Sequence, residues 1–243
     1  MGGGVFITGT DTGVGKTFVA CGLAAWLKDA GYRVGVMKPT ETGCAGIDGN
    51  LVPQDAVALK EASRCDLPLE KICPYALPEP LAPSAAAERQ GVRIHIERLT
   101  DLYAEIRAAH DAVIVEGAGG LLVPLLPSYS YADFAGVLKL PIIVVAANRL
   151  GVINHLLLTL EYAACRGLPV LGYVLNQIER EPSLATETNR EVLASLTAIP
   201  CLGELPYLDN LAARNVSLGE IMGECLDLRL LRPVMWAFAA GIA

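Results

Sequence analysis

The chain has 243 residues, 53% hydrophobic and 19% charged, with a formal net charge of -7 and a pI near 5.0. That balance excludes a disordered polymer and a broad nucleic-acid-binding surface, since phosphate backbones are gripped by clustered Lys and Arg and no basic run is present. Seven cysteines form no CxxC pair and no metal-ligand spacing with the three histidines, which points to reduced, mostly core thiols in a cytoplasmic protein.

Taken in chain order, "VFITG" (5–9) is a β-branched apolar run that predicts a strand, and "GTDTGVGKTF" leads from it into a helix over 16–30. "RVGVMKP" (33–39) predicts a second strand, followed by a helix over 54–62, a Pro-rich loop over 74–87 and a helix over 94–109. "AVIVEG" (112–117), "PIIVVAAN" (141–148) and "VLGYVLN" (170–176) complete five strands, with helices expected over 131–139, 153–166 and 185–196. The N-terminus has neither the basic start nor the apolar stretch of a signal peptide. The apolar "LRLLRPVMWAFAAGIA" is shorter than the ~18 residues of a membrane span and carries Arg229, Arg232 and Pro233, so a docked helix is expected and no membrane association.

Alternating strand and helix implies βαβ units with right-handed crossovers: an α/β, three-layer fold with a mainly parallel sheet and helices on both faces, expected as one domain over 1–243. Ligands of such folds gather at the carboxyl ends of the strands. Lys38, Glu116, Asn148 and Asn176, the polar residues that close the strands, are therefore candidates for a shared crevice.

The loop of residues 9–16 is a phosphate cradle by its chemistry. Glycines at 13 and 15 let backbone N–H groups approach an anion at a helix N-terminus, Lys16 would reach β and γ oxygens, and the Thr17 hydroxyl would coordinate Mg2+. Gly9 lies six residues before Gly15, one more than in the common P-loop, and Asp11 stands where switch-class ATPases carry a signature lysine. Glu116 occupies the place of a Walker B carboxylate and is the second expected metal ligand. Lys38 ends a strand where an ammonium could stabilise charge in phosphoryl transfer; Thr42 adds a hydroxyl; Asp55 reads either as a helix cap or as a third oxygen ligand.

"GTDTGVGKT", "KPTETG", "QDAVAL", "EGAGGLLVPL", "RLGVINHLLLT" and "LGELPYL", in this order over residues 5 to 208, resemble the dethiobiotin synthase family. The resemblance implies a P-loop NTPase-type fold and an ATP- and Mg2+-dependent ligase that closes 7,8-diaminononanoate and CO2 into a cyclic urea. It implies that Thr17, Asp55 and Glu116 hold the metal, that Lys38, Lys16 and Thr12 serve catalysis, and that Thr12, Lys38 and Thr42 contact the diamine or carbamate. Gly13, Val14, Gly15, Lys16, Thr17, Glu116, Gly117, Ala118 and Gly119 are then expected on the phosphate side of ATP, and Asn176, Gln177, Leu205, Pro206 and Tyr207 around the base. Leu150, Gly151, Val152, Ile153 and Asn154 open a helix and would grip the substrate carboxylate of a second subunit, implying a homodimer with shared sites. His155 is expected to be structural. A partitioning-type ATPase and a nucleotide-binding module without chemistry are the alternative readings.

Overall fold

A computed structural model of the chain describes residues 3–47, 50–209 and 216–231. It begins with β1 (Gly3–Gly9), α1 (Lys16–Asp29) and β2 (Val34–Met37), then the short strands β3 (Glu41–Thr42), β4 (Ala45–Ile47) and β5 (Asn50–Val52). Next come α2 (Gln54–Ser63), α3 (Leu69–Ile72), β6 (Ala76–Leu77), α4 (Pro83–Arg89) and α5 (Ile96–Ala109). β7 (Ala112–Gly120), β8 (Pro124–Leu126), β9 (Tyr129–Ser130), α6 (Tyr131–Leu138), β10 (Ile142–Ala147) and α7 (Val152–Cys165) follow. β11 (Val170–Asn176), α8 (Leu184–Leu196), β12 (Cys201–Leu205) and α9 (Leu218–Cys225) complete the series, before a 3-10 turn at Leu228–Leu231.

Among the described residues six strands form one sheet in the order β12-β11-β10-β1-β7-β2, and every pairing in it is parallel. Parallel strands buried on both faces need apolar residues at every position, which is why they read as unbroken runs. Successive side chains nevertheless separate cleanly. Phe6, Val113, Val115, Ile142 and Val144 enter one core with α5, α6 and α7. Val5, Ile7, Ala112, Ile114, Ile143 and Val145 enter the other with α1, α2 and α9. Phe6 anchors the first core between Tyr131 and Phe134, with ring centroids 6.1 and 6.5 Å away; a fully buried Phe of this kind contributes about 1.5–3 kcal/mol.

All five expected strands are present, and the structure adds a sixth, β12, at the sheet edge. The expected Pro-rich loop is more ordered than its composition suggested. It contains β6, which pairs with β3, and α4, which opens with Pro83 at a first-turn position that tolerates proline because no amide is needed there. Of the expected C-terminal helix only the turn at Leu228–Leu231 is described, with Leu228 and Leu231 buried, and the remainder lies outside the described residues. Among the described residues no helix is long and apolar enough to cross a membrane.

Candidate active site

Period-2 alternation places the chemistry. Val34 and Val36 face the α1 side of the sheet, so Lys38, two further on, continues that side; Ala112 and Ile114 do the same for Glu116. Lys38 follows the last residue of β2, whereas Glu116, expected to close its strand, lies within β7 opposite Ile7 because the strand runs on through glycines to Gly120; both sit beneath the loop that links β1 to α1.

In that loop Gly13 and Gly15 have φ of 75° and 94°, a left-handed conformation that glycine adopts without a Cβ penalty. Gly15 is fixed from outside as well. The Asn176 side-chain amide donates to the Val14 carbonyl at 2.9 Å, and a Cβ on Gly15 would sit 2.1 Å from that same nitrogen. Among the described residues no side chain caps α1, so the amides of its first turn remain for an anion. Lys16 Nζ donates to the Asp11 carbonyl at 2.8 Å. Burial foremost, and then the neighbouring Lys38, lowers the Lys16 ammonium from 10.5 to about 8.

Below the loop, Glu116 is fully buried and accepts on Oε1 from the Thr17 hydroxyl at 2.8 Å and from Lys38 Nζ at 2.5 Å. Lys38 Nζ also donates to Asp55 Oδ2 at 2.8 Å. Burial alone would lower the pKa of Lys38, but the two carboxylates outweigh it and raise it, so the ammonium is firmly charged. Glu116 Oε2 is buried with no hydrogen-bond partner among the described residues. The Thr17 hydroxyl, Glu116 and Asp55 therefore converge as hard oxygen donors, one with an unused buried lone-pair face, and this set fits Mg2+, which takes few protein ligands and completes its shell with phosphate and water.

Asp55 is not a cap. It is the second residue of α2, its carboxylate is turned to Lys38, and the amides of Asp55 and Ala56 are instead received by Glu41 Oε1 and Oε2 at 2.9 and 3.0 Å.

Thr12, Gly13, Gly15, Lys16, Thr17, Lys38, Thr42, Asp55, Glu116, Ala118 and Gly119 line a single cleft of about 750 Å³. Val14 and Gly117 do not line it: Val14 is packed in the α1-side core and Gly117 lies against the Phe6 ring. Glu41, the segment Pro80, Leu81, Ala82 and Pro83, and Val123, which are not among the residues expected from the sequence, also line it. For Glu41 a signal exists in the sequence, an acidic residue between Lys38 and Thr42. The Pro80 segment offered only composition.

A second cavity, of about 620 Å³, is bordered by Gln177, Leu205, Pro206 and Tyr207, together with Asn148, Arg180 and Glu204. Asn176 borders neither cavity, since its amide is engaged in bracing the Val14 carbonyl. Leu150, Gly151, Val152, Ile153 and Asn154 lie outside both cavities, at the start of α7, where Gly151 has φ 92° and Leu150 is 87% exposed. His155 is exposed on the same helix. Asp11 faces Arg149, 3.9 Å away.

A family model described as "AAA domain" matches residues 3–215. The chain is 45% identical over 220 residues to an ATP-dependent dethiobiotin synthetase from Anaeromyxobacter sp. strain K, covering 90% of this chain and 97% of that protein. It is 42% identical over 213 residues to the enzyme of the same name from Bacillus subtilis strain 168, covering 88% and 91% of the two chains. Among solved structures, the septum site-determining protein MinD of Pyrococcus horikoshii OT3, complexed with Mg-ADP, superposes with a TM-score of 0.53 at 16% identity, over 95% of this chain and 89% of that one. A ParA family ATPase from Chlorobium tepidum TLS superposes with a TM-score of 0.54 at 16% identity over the full length of both chains. At that identity the two ATPases establish the P-loop NTPase-type fold and nothing about substrate.

Proposed function

This chain belongs to the ATP-dependent dethiobiotin synthetase family, and from that membership we propose a course for the ligase reaction on residues 1–243 acting as one catalytic domain. One amine of 7,8-diaminononanoate attacks CO2 and loses a proton, giving a carbamate. A carbamate oxygen takes the γ-phosphoryl group of ATP, releasing ADP. The second amine then attacks the carbamoyl carbon of the mixed anhydride, expelling phosphate and closing the ring.

The observation that carries this reading is the convergence of Lys16, Lys38, Thr17, Glu116 and Asp55 in one cleft, with apolar surface from Pro80, Leu81 and Val123 on its wall. Carbamate and triphosphate are both anions, and bringing them together requires fixed positive charge and a held geometry. The first-turn amides of α1 and the Lys16 ammonium receive the β and γ phosphates. Lys38, whose charge its neighbours secure, neutralises the carbamate, and the Thr12 and Thr42 hydroxyls orient it. Thr17, Glu116 and Asp55 would hold Mg2+, which neutralises phosphoryl oxygens when bound. Gln177, Leu205, Pro206 and Tyr207 offer a surface for the base, with Asn176 behind the loop.

The free helix start at Gly151 and the exposed Leu150 support a homodimer in which residues 150–154 of each subunit complete the other's substrate site. Phosphate release with Mg-ATP and bicarbonate should depend on added diamine, with a product of the mass of the cyclic urea. Hydrolysis indifferent to the diamine would overturn the proposal.

A further inference from the structure

Glu41 is a buried carboxylate, 6% exposed, that no step above uses. Its backbone is fixed by the β3–β6 ladder, where Glu41 pairs with Ala76 and its amide donates to the Tyr75 carbonyl at 2.9 Å. Its side chain reaches fourteen residues ahead to α2. There Pro53 stands at the N-cap with no side-chain cap, leaving the amides of Asp55 and Ala56 without helical acceptors. Glu41 accepts one on each oxygen, at 2.9 and 3.0 Å, a bidentate grip strengthened by the positive end of the helix. The residue so gripped is the one whose carboxylate meets Lys38, with its own side chain 39% exposed.

We infer that Glu41 is a positioning residue: it locks the first turn of α2 so that the Asp55 carboxylate is presented to the Lys38–Glu116 pair and to the metal. The inference rests on the reading of Asp55 as a metal ligand. Groups that orient a metal ligand are commonly worth about 10–100-fold in metal affinity when removed, which sets the expected size.

The test is a double-mutant cycle on Mn2+ affinity, read by electron paramagnetic resonance of the ADP-bound protein. Glu41→Ala should weaken Mn2+ binding by about tenfold. Glu41→Gln, which keeps the volume and one acceptor, should fall between it and the parent chain. In an Asp55→Ala background the Glu41→Ala effect should vanish. A merely structural cap would lower the melting temperature and leave Mn2+ affinity unchanged in both variants, and that result overturns the role. So does a Glu41→Ala loss that persists undiminished without the Asp55 carboxylate. Failure of the underlying reading looks different, because Asp55→Ala alone would then leave Mn2+ affinity as it was.

Discussion

At the scale of single residues, the site is governed by two lysines in opposite electrostatic situations. Lys38 is held charged by ion pairs with Glu116 and Asp55, whereas Lys16 is buried beside a carbonyl and another cation. Lys16→Ala should lower kcat by at least ~10³-fold, since charge stabilisation at the transferred phosphoryl group is the principal catalytic term; diamine-dependent phosphate release measures it. Lys16 also predicts a pH dependence. Its folded-state pKa of about 8 lies below the ordinary 10.5, so between those values the unfolded chain binds a proton that the folded chain does not. The cost of holding that charge is therefore full below pH 8 and is relieved as pH rises toward 10.5, so this group makes the free protein more stable with rising pH across that window. ATP affinity should move the other way. It should fall as pH passes about 8, when the amine no longer pairs with phosphate, and calorimetric titration at neutral and alkaline pH would record the decline.

Among the elements, strand alternation made much of the site readable in advance. The apolar runs ending in Lys38 and Glu116 had to bring both residues to one face of a parallel sheet. The elements less legible in the sequence are short or interrupted by glycine. β12 is an edge strand of five residues interrupted by Gly203 and Glu204, and α9 is an eight-residue helix with two glycines. The role of Glu41 depends on a contact with a helix fourteen positions away, which spacing does not reveal. Gly203 shows what interrupts the run. It has φ 152°, and a Cβ there would lie 2.1 Å from the Cys225 carbonyl oxygen, so the glycine lets β12 approach the end of α9. Gly203→Ala forces backbone apart and should destabilise the protein by about 2–4 kcal/mol, placing it in the severe tail of single substitutions; urea denaturation would register it.

For the whole molecule, the proposed sharing of sites between subunits has a direct consequence. Lys16→Ala and Asn154→Ala impair different halves of one composite site, so each homodimer should be inactive, yet mixing them should restore activity through hybrids with one intact site. With random exchange, about half of the dimers are hybrids, giving roughly a quarter of the parental rate. Recovery on subunit exchange is the measurement, and its complete absence would place each site within one subunit. The order of the sheet carries a further consequence, for the timing of folding. β1 and β2 are not neighbours; β7 lies between them, and the other partner of β1 is β10. As the chain leaves the ribosome, both strands must wait until residues 112–120 emerge before either finds a partner in the central sheet. Until then the buried lysine has no Glu116 to meet, so the nucleotide loop and its counter-charge come into being together, as a late event of synthesis.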